Sequence, residues 1–450
     1  MKASALADIF KVPELRNRIL FTLAMLAVYR LGIFVPAPGV DREAMSAFFA
    51  DNSGTLFGLY DMFSGGALAQ FSVFVLGIMP YISASIIIQL LTATVPQLER
   101  LSKEGQSGRN KITQYTRYGT IAIAIVQSFS IAVGLEQMRS GAGADVVIEA
   151  GAWFRFMTVM TMTAGSCFVM WLGEQITERG VGNGASLIIT AGIIAGLPQG
   201  VVMMIQKVQV GDLTLVGLVG LGAFMFATLA AIVFMERAQR QIPIQYAKRV
   251  IGRRVYGGQA THLPLKVNVA GVIPPIFASA VLMFPATLQT FYDHPLFRNV
   301  MATLSPGRWM YNLVYVGLII FFAFFYTAVT FNPVDVADNL KKHGGYIPGI
   351  RPGKQTADYL DRILQRLTTA GALYLAAVCM IPTLLITEYG VPFYFGGTSL
   401  LIVVSVSLDT VAQIEGHLLT KHYDGLMGSG SSGNVRGRHR RLIEKTKDTT

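Results

Sequence analysis

Charge is missing from this chain in long blocks, and that pattern restricts the fold more than any motif does. Nine stretches of at least 18 residues contain no Asp, Glu, Lys or Arg: 62–98, 118–135, 156–173, 180–206, 213–235, 267–292, 309–334, 367–387 and 389–408. A tenth, 19–35, is interrupted only by Arg30 near its far end, where a long side chain can snorkel to the headgroups. A helix needs about 20 apolar residues to cross a hydrocarbon layer of about 30 Å, so the pattern predicts ten spanning helices. Composition agrees, because 52% of the 450 residues are hydrophobic and only 14% are charged. A soluble domain, whose surface must face water, carries about 25%.

The placement of the remaining charge predicts orientation. Of 37 Lys and Arg, 30 fall in one alternating set of connections, around 1–18, 95–117, 174–183, 236–266, 332–366 and 409–450, and only 5 fall in the other set. Cytoplasmic connections carry the Lys/Arg excess, so both termini are expected in the cytoplasm. Residues 1–18 mix charged and apolar residues at helical spacing and read as a cytoplasmic amphipathic surface helix. They lack the apolar core and small-residue site of a cleaved signal. Residues 416–450, Gly/Ser-rich and then basic, are expected to form a disordered cytoplasmic tail.

The run 62–98 is too long for one crossing, since 37 residues at 1.5 Å each would make a helix of about 55 Å. It begins MFSGGALAQFS and later carries Gly77 and Pro80. This composition predicts a re-entrant piece followed by a full span; the competing reading is one long tilted helix kinked at the proline. Irregular backbone at membrane depth survives only inside protein or against an aqueous cavity. GVGNGASLIITAGIIAGLP and VNVAGVIPPIFASAVLMFP are also rich in small residues. Each suits close helix packing or a pathway lined by apolar and small polar groups.

Catalytic chemistry finds little support. All six histidines lie outside the uncharged stretches, and the chain has no GxxxxGK[ST], no HExxH and no Cys pair at zinc-ligand spacing. Cys167 and Cys379 lie alone in different spans and read as packing residues. Glu174 and Glu178, one helical turn apart at a span end beside Arg179, read as a solvated helix end rather than a proton relay. No enzyme activity, cofactor or metal is expected. The basic loops 236–266 and 332–366, the latter containing KKHGGYIPGIRPGK, serve either to orient the chain or to dock acidic or phosphate-bearing partners.

Six blocks, in order, are similar to the SecY family of protein-conducting channels across about residues 10–425. They are MFSGGALAQFSVFVLGIMPYISASIIIQLL, KEGQSGRNKITQYTRYGT, FVMWLGEQITERGVGNG, THLPLKVNVAGVIPPIFAS, FFYTAVTFNPVDVADNLKKHGGYIPGIRPG and VPFYFGGTSLLIVVSV. The resemblance implies an all-α polytopic membrane protein. Its ten transmembrane helices form two inverted five-helix halves, 19–206 and 207–415, around a central pore.

Residues 57–69, with Phe57, Met62, Phe63, Ser64, Gly65, Gly66 and Ala67, match the family's plug. Ile78, Ile82, Ala185, Ile189, Ile276 and Ile402 match its constriction ring, where Ala185 departs from the usual isoleucine. Ser83, Gln89, Gln127 and Asn268 are expected along a lateral gate between the second and third spans and the seventh and eighth. Arg253 and Arg254 match the loop that meets the ribosome, and Arg351 the loop that meets the motor ATPase SecA.

The implied function is passage of unfolded secretory polypeptides across the bacterial cytoplasmic membrane, with sideways release of hydrophobic segments into lipid. The implied partners are SecE and SecG, SecA, the ribosome, signal sequences and nascent chains, membrane lipids, and accessory proteins of the SecDF/YidC type. Energy would come from the motor, the ribosome or the proton-motive force. The alternative from the residues alone is an ion-coupled secondary transporter of a small solute. That class ordinarily needs intramembrane ionisable groups, and only Arg30 and Arg155 qualify.

Overall fold

The computed structural model describes residues 12–41, 45, 61, 64–137, 146–211, 214–246, 249–251, 254–256, 260–289, 304, 308–389 and 397–418. Each of the ten uncharged stretches contributes to a helix. In chain order the helices are α1 (Pro13–Ile33), α2 (Met79–Thr94), α3 (Pro96–Lys103), α4 (Gln106–Gln137), α5 (Ala152–Arg179), α6 (Gly184–Val210), α7 (Leu215–Arg237), α8 (Ile273–Gln289), α9 (Trp309–Thr330), α10 (Pro333–Lys342), α11 (Lys354–Tyr389) and α12 (Gly397–Leu418).

Among the described residues, seven helices are long and apolar enough to cross a bilayer unaided, or eight if α2 and α3 count as one bent span. Length and apolarity of the described helices alone therefore do not return ten. α8 is apolar but short, and α1 carries Glu14, Arg16, Arg18 and Arg30. The chain is a multi-pass membrane protein. α1 also runs without a break from Pro13 through the first span, so residues 13–18 continue that span's own helix.

Proline decides two boundaries. Pro80 stands in the first turn of α2, where a missing N–H leaves nothing unpaired; it starts that helix and does not kink one. Pro96 restarts the chain after Val95, whose extended backbone bends α3 away from α2 by 98°. The eight residues of α3 bury nothing, and its Lys103 Nζ lies 2.7 Å from Glu99 Oε1 on an exposed face.

The connection after α7, read from sequence as a charged loop, contains strands. β1 (Gln239–Tyr246) pairs antiparallel with β4 (Ala260–Lys266) from Gln239 opposite Lys266 to Gln245 opposite Ala260, and β5 (Gly345–Tyr346) adds at Gln245 and Tyr246. β2 (Arg249–Ile251) and β3 (Arg254–Tyr256) form a separate short pair. Alternation explains β1: in QRQIPIQY, Ile242 and Ile244 turn inward while their neighbours face out. Ile242 and Leu265 join Ile347, Leu360 and Ile363 in one small core, which fastens both basic loops to the entrance of α11.

The main core runs through the centre of the helix bundle, with buried residues from α1, α2, α5, α6, α7, α8, α9, α11 and α12. A second cluster joins Leu68, Phe71, Val75 and Leu76 to Ala124 and Leu135 of α4 and Phe154 and Met162 of α5.

Candidate functional site

Small residues bring the centre together. Asn183 caps α6, its Oδ1 accepting from the N–H groups of Ala185 (3.1 Å) and Ser186 (3.4 Å), while Gly184 N–H donates to Thr177 Oγ1 at 2.9 Å. A Cβ on Gly184 would stand 1.9 Å from the carbonyl oxygen of Gly173, so α5 and α6 cross backbone to backbone. A Cβ on Gly173 would stand 3.3 Å from Ile78 Cδ1. These contacts draw α2, α5 and α6 close enough for short apolar side chains to meet across the centre.

Five of the six expected ring residues are buried members of the main core: Ile78, Ile82, Ile189, Ile276 and Ile402. Ala185 is partly buried and packs against the same cluster, with fully buried Ile188 beside it on α6. They come from the end of the irregular segment before α2 and from α2, α6, α8 and α12, so both halves of the chain contribute. On one side of this apolar centre opens a cavity of about 890 Å³ lined by polar groups, among them Asn110, Gln114, Arg117, Glu174 and Glu178, with Ala185 and Gly173 at its apolar floor. Glu174 is not simply solvated there, since its Oε1 accepts from Arg117 Nε at 2.8 Å.

The segment 64–78 has no long helix and is built from successive turns. Phe57, Met62 and Phe63 lie outside the described residues; Ser64 and Ala67 are fully buried. Asp61 organises the segment. Its Oδ1 accepts from the N–H groups of Leu68 (3.0 Å) and Ala69 (2.9 Å), and its carbonyl oxygen accepts from Gly66 N–H and Ser64 Oγ. Tyr29 Oη donates to the Ser64 carbonyl and Arg30 Nη1 to the Gly65 carbonyl, both at 2.9 Å. Arg30 therefore turns inward to this segment and does not snorkel, because irregular backbone leaves carbonyls that need donors. Gly65, at φ +72°, is packed so closely that a Cβ would approach Gly192 Cα of α6 within 2.9 Å.

Removal of the Asp61 acceptor should free this segment first. In Asp61→Ala, amide hydrogen exchange at Leu68 and Ala69 is expected to accelerate roughly tenfold or more, since an unsatisfied buried amide costs about 1–3 kcal/mol. Unchanged exchange would refute the bracing role.

The gate residues are not joined to one another. α8 packs against both α2 and α4, as the seam requires. Yet Gln89 Nε2 donates to Ser85 of its own helix (3.1 Å), and Gln127 Oε1 is buried without a partner among the described residues. Ser83, on α2, is half-buried. Asn268 Nδ2 donates to Glu236 Oε1 at 2.7 Å and to the Gly271 carbonyl at 3.1 Å, at the foot of α8. The docking residues are distributed unevenly: Arg253 is outside the described residues, Arg254 opens β3, and Arg351 is exposed on the loop ahead of α11. The tail beyond Leu418 and residues 1–11 also lie outside the described residues.

A helical bundle with an apolar centre shared by both halves, a braced irregular segment packed against it and a polar cavity bordering it fits a polytopic membrane channel. A family model described as SecY matches residues 72–411. The protein translocase subunit SecY of Pseudomonas aeruginosa is 50% identical over 428 residues, covering 94% of this chain and 95% of that protein. The chain belongs to the SecY family.

Solved structures share the fold at lower identity. One, described as showing that the SecY plug domain stabilises the closed state of the translocation channel and maintains a membrane seal, superposes with a TM-score of 0.57 at 18% identity, over 93% of this chain and 95% of that one. Another, the channel of a canine ribosome–channel complex from the endoplasmic reticulum, gives 0.56 at 15% identity, over the same shares.

Proposed function

We propose that this chain is the protein-conducting channel of a bacterial translocase, set in the cytoplasmic membrane with both termini inside. It passes unfolded secretory polypeptides across and releases hydrophobic segments sideways between α2 and α4 on one side and α8 and α9 on the other. The observation that carries this reading is the joint burial of Ile78, Ile82, Ile189, Ile276 and Ile402, from both halves, in one apolar cluster below a polar vestibule.

An apolar collar cannot hydrate an ion, so it dewets and blocks conduction, yet it yields around a polypeptide without binding it specifically. The segment around Ser64–Ala67 acts as the plug on the far side, held by Tyr29, Arg30 and Asp61. An apolar signal segment opens the seam by entering lipid, which contributes about 0.8 kcal/mol for each CH2 buried.

The strand-braced loops supply docking surfaces, with Arg253 and Arg254 for the ribosome and Arg351 for the motor ATPase. Energy comes from these partners or from the proton-motive force. SecE and SecG complete the membrane complex, with SecDF/YidC-type proteins as accessories. Site-specific crosslinking of a stalled secretory chain to a photoreactive residue at position 82 tests the reading. A strong adduct is expected, and its absence from a complex that binds the stalled ribosome would return the solute transporter to the front.

A further inference from the structure

We infer that Glu236 and Asn268 form a latch that positions the foot of α8 and keeps the gate seam shut in the resting channel. The inference rests on the channel reading above. α7 is apolar along almost its whole length and buries only Ile232 and Glu236. A carboxylate at a helix end would ordinarily turn to water, because burying it unpaired is costly. Here it turns inward and meets Asn268, itself 4% exposed, at 2.7 Å.

Buried Ser405 of α12 lies near the same carboxylate, and Asn268 Nδ2 also holds the Gly271 carbonyl two residues before α8 begins. Gly371 of α11 completes the enclosure, since a Cβ there would stand 2.9 Å from the Val267 carbonyl and 3.5 Å from Asn268 Cα. Ala270, Ala323 and Ala372 pack around the next turn. Val267 N–H donates to the Ala238 carbonyl at 3.0 Å, which carries the β1–β4 ladder up to this point.

The consequence concerns the ring. Ile276 lies in the first turn of α8 and Ile402 one turn before Ser405 on α12. The pair thus sets the height and rotation of Ile276, beside the turn of α12 that carries Ile402, and α8 is also the helix packed against α2 and α4 across the seam. A hydrogen bond between enclosed polar groups is strong but directional, so a small rotation of α8 breaks it as a unit. Glu236 and Asn268 act as positioning residues for gating and touch no cargo.

Resting ion conductance of the purified complex in planar bilayers tests the latch. Glu236→Ala and Asn268→Ala are expected to raise it roughly tenfold, whereas Glu236→Gln, whose Oε1 still accepts from Asn268, stays near the parent level. Asn268→Asp sets two carboxylates against each other and should leak; adding Glu236→Gln restores a donor–acceptor pair and should reseal the channel. The double variant keeps the test open if Glu236→Ala fails to accumulate.

Parent-level conductance in both alanine variants, or equal leakage from Asn268→Asp with and without Glu236→Gln, would overturn the latch. Lowered thermal stability without added conductance would do so as well. Failure of the channel reading would appear separately, as parent vesicles that import no secretory precursor.

Discussion

Replacing Ile82, Ile189 and Ile276 together with glycine is expected to make the resting channel conduct ions continuously in planar bilayers. The three residues come from α2, α6 and α8, and each is under 10% exposed in one shared cluster. Burial of an isoleucine contributes about 1.5–3 kcal/mol, so the triple change removes several kcal/mol from the closed packing. On the proposed ring assignment it also takes away the side chains that exclude water from the constriction. With about 1.4 kcal/mol per factor of ten, resting conductance should rise at least roughly a hundredfold.

Glycine weakens each helix as well, by about 1 kcal/mol relative to alanine. The alanine triple is therefore the control, and it should leak with a smaller loss of thermal stability. A leucine triple, which keeps apolar volume, should remain sealed. Unchanged conductance in the glycine triple would sink the ring assignment.

The helical plan was readable because its signal is the absence of charge, which each span displays along its own length. Relations between distant segments were not. Glu236 sits at a helix end beside Arg237, a context that reads as solvated, and its burial depends on Asn268, 32 residues on. Asn268 is implied as a gate residue only by the family resemblance, and its partner is not readable from spacing. Arg30 was placed by its position near a span end, although the carbonyls of a turn segment 35 residues later claim its guanidinium.

The strands fall in a different category. Alternation in QRQIPIQY and in THLPLK is visible in the chain, with Ile242, Ile244 and Leu265 on the inward face. It is masked by a charge density that reads first as a loop. Ala185 was legible as a departure from isoleucine, and only the structure places fully buried Ile188 next to it.

Arg351→Glu is expected to abolish motor-driven export while leaving ribosome-driven insertion intact and the fold unchanged. The side chain is exposed, and its backbone is held without it. The Arg351 carbonyl accepts from Thr356 Oγ1 at 2.9 Å, Ile350 N–H donates to the Ile347 carbonyl at 3.1 Å, and Ile347 is buried against Ile242, Leu265, Leu360 and Ile363. Gly349 and Gly353, at φ +82° and +103°, supply the turns on either side.

Charge reversal on this hydrogen-bonded loop costs little stability, because it removes no buried contact, yet on the proposed docking role it turns an attraction for an acidic surface into repulsion. Like-charge juxtaposition at an interface costs several kcal/mol, enough to weaken docking by roughly a hundredfold or more. Arg351→Lys keeps the charge but loses the planar fork, so an intermediate defect would indicate bidentate recognition of a carboxylate. Precursor import into vesicles with the motor and ATP, set against cotranslational insertion of a membrane protein into the same vesicles, separates the two routes. Equal loss of both would refute the division between this loop and the one carrying Arg253 and Arg254, and so would a fall in thermal stability large enough to account for the export defect.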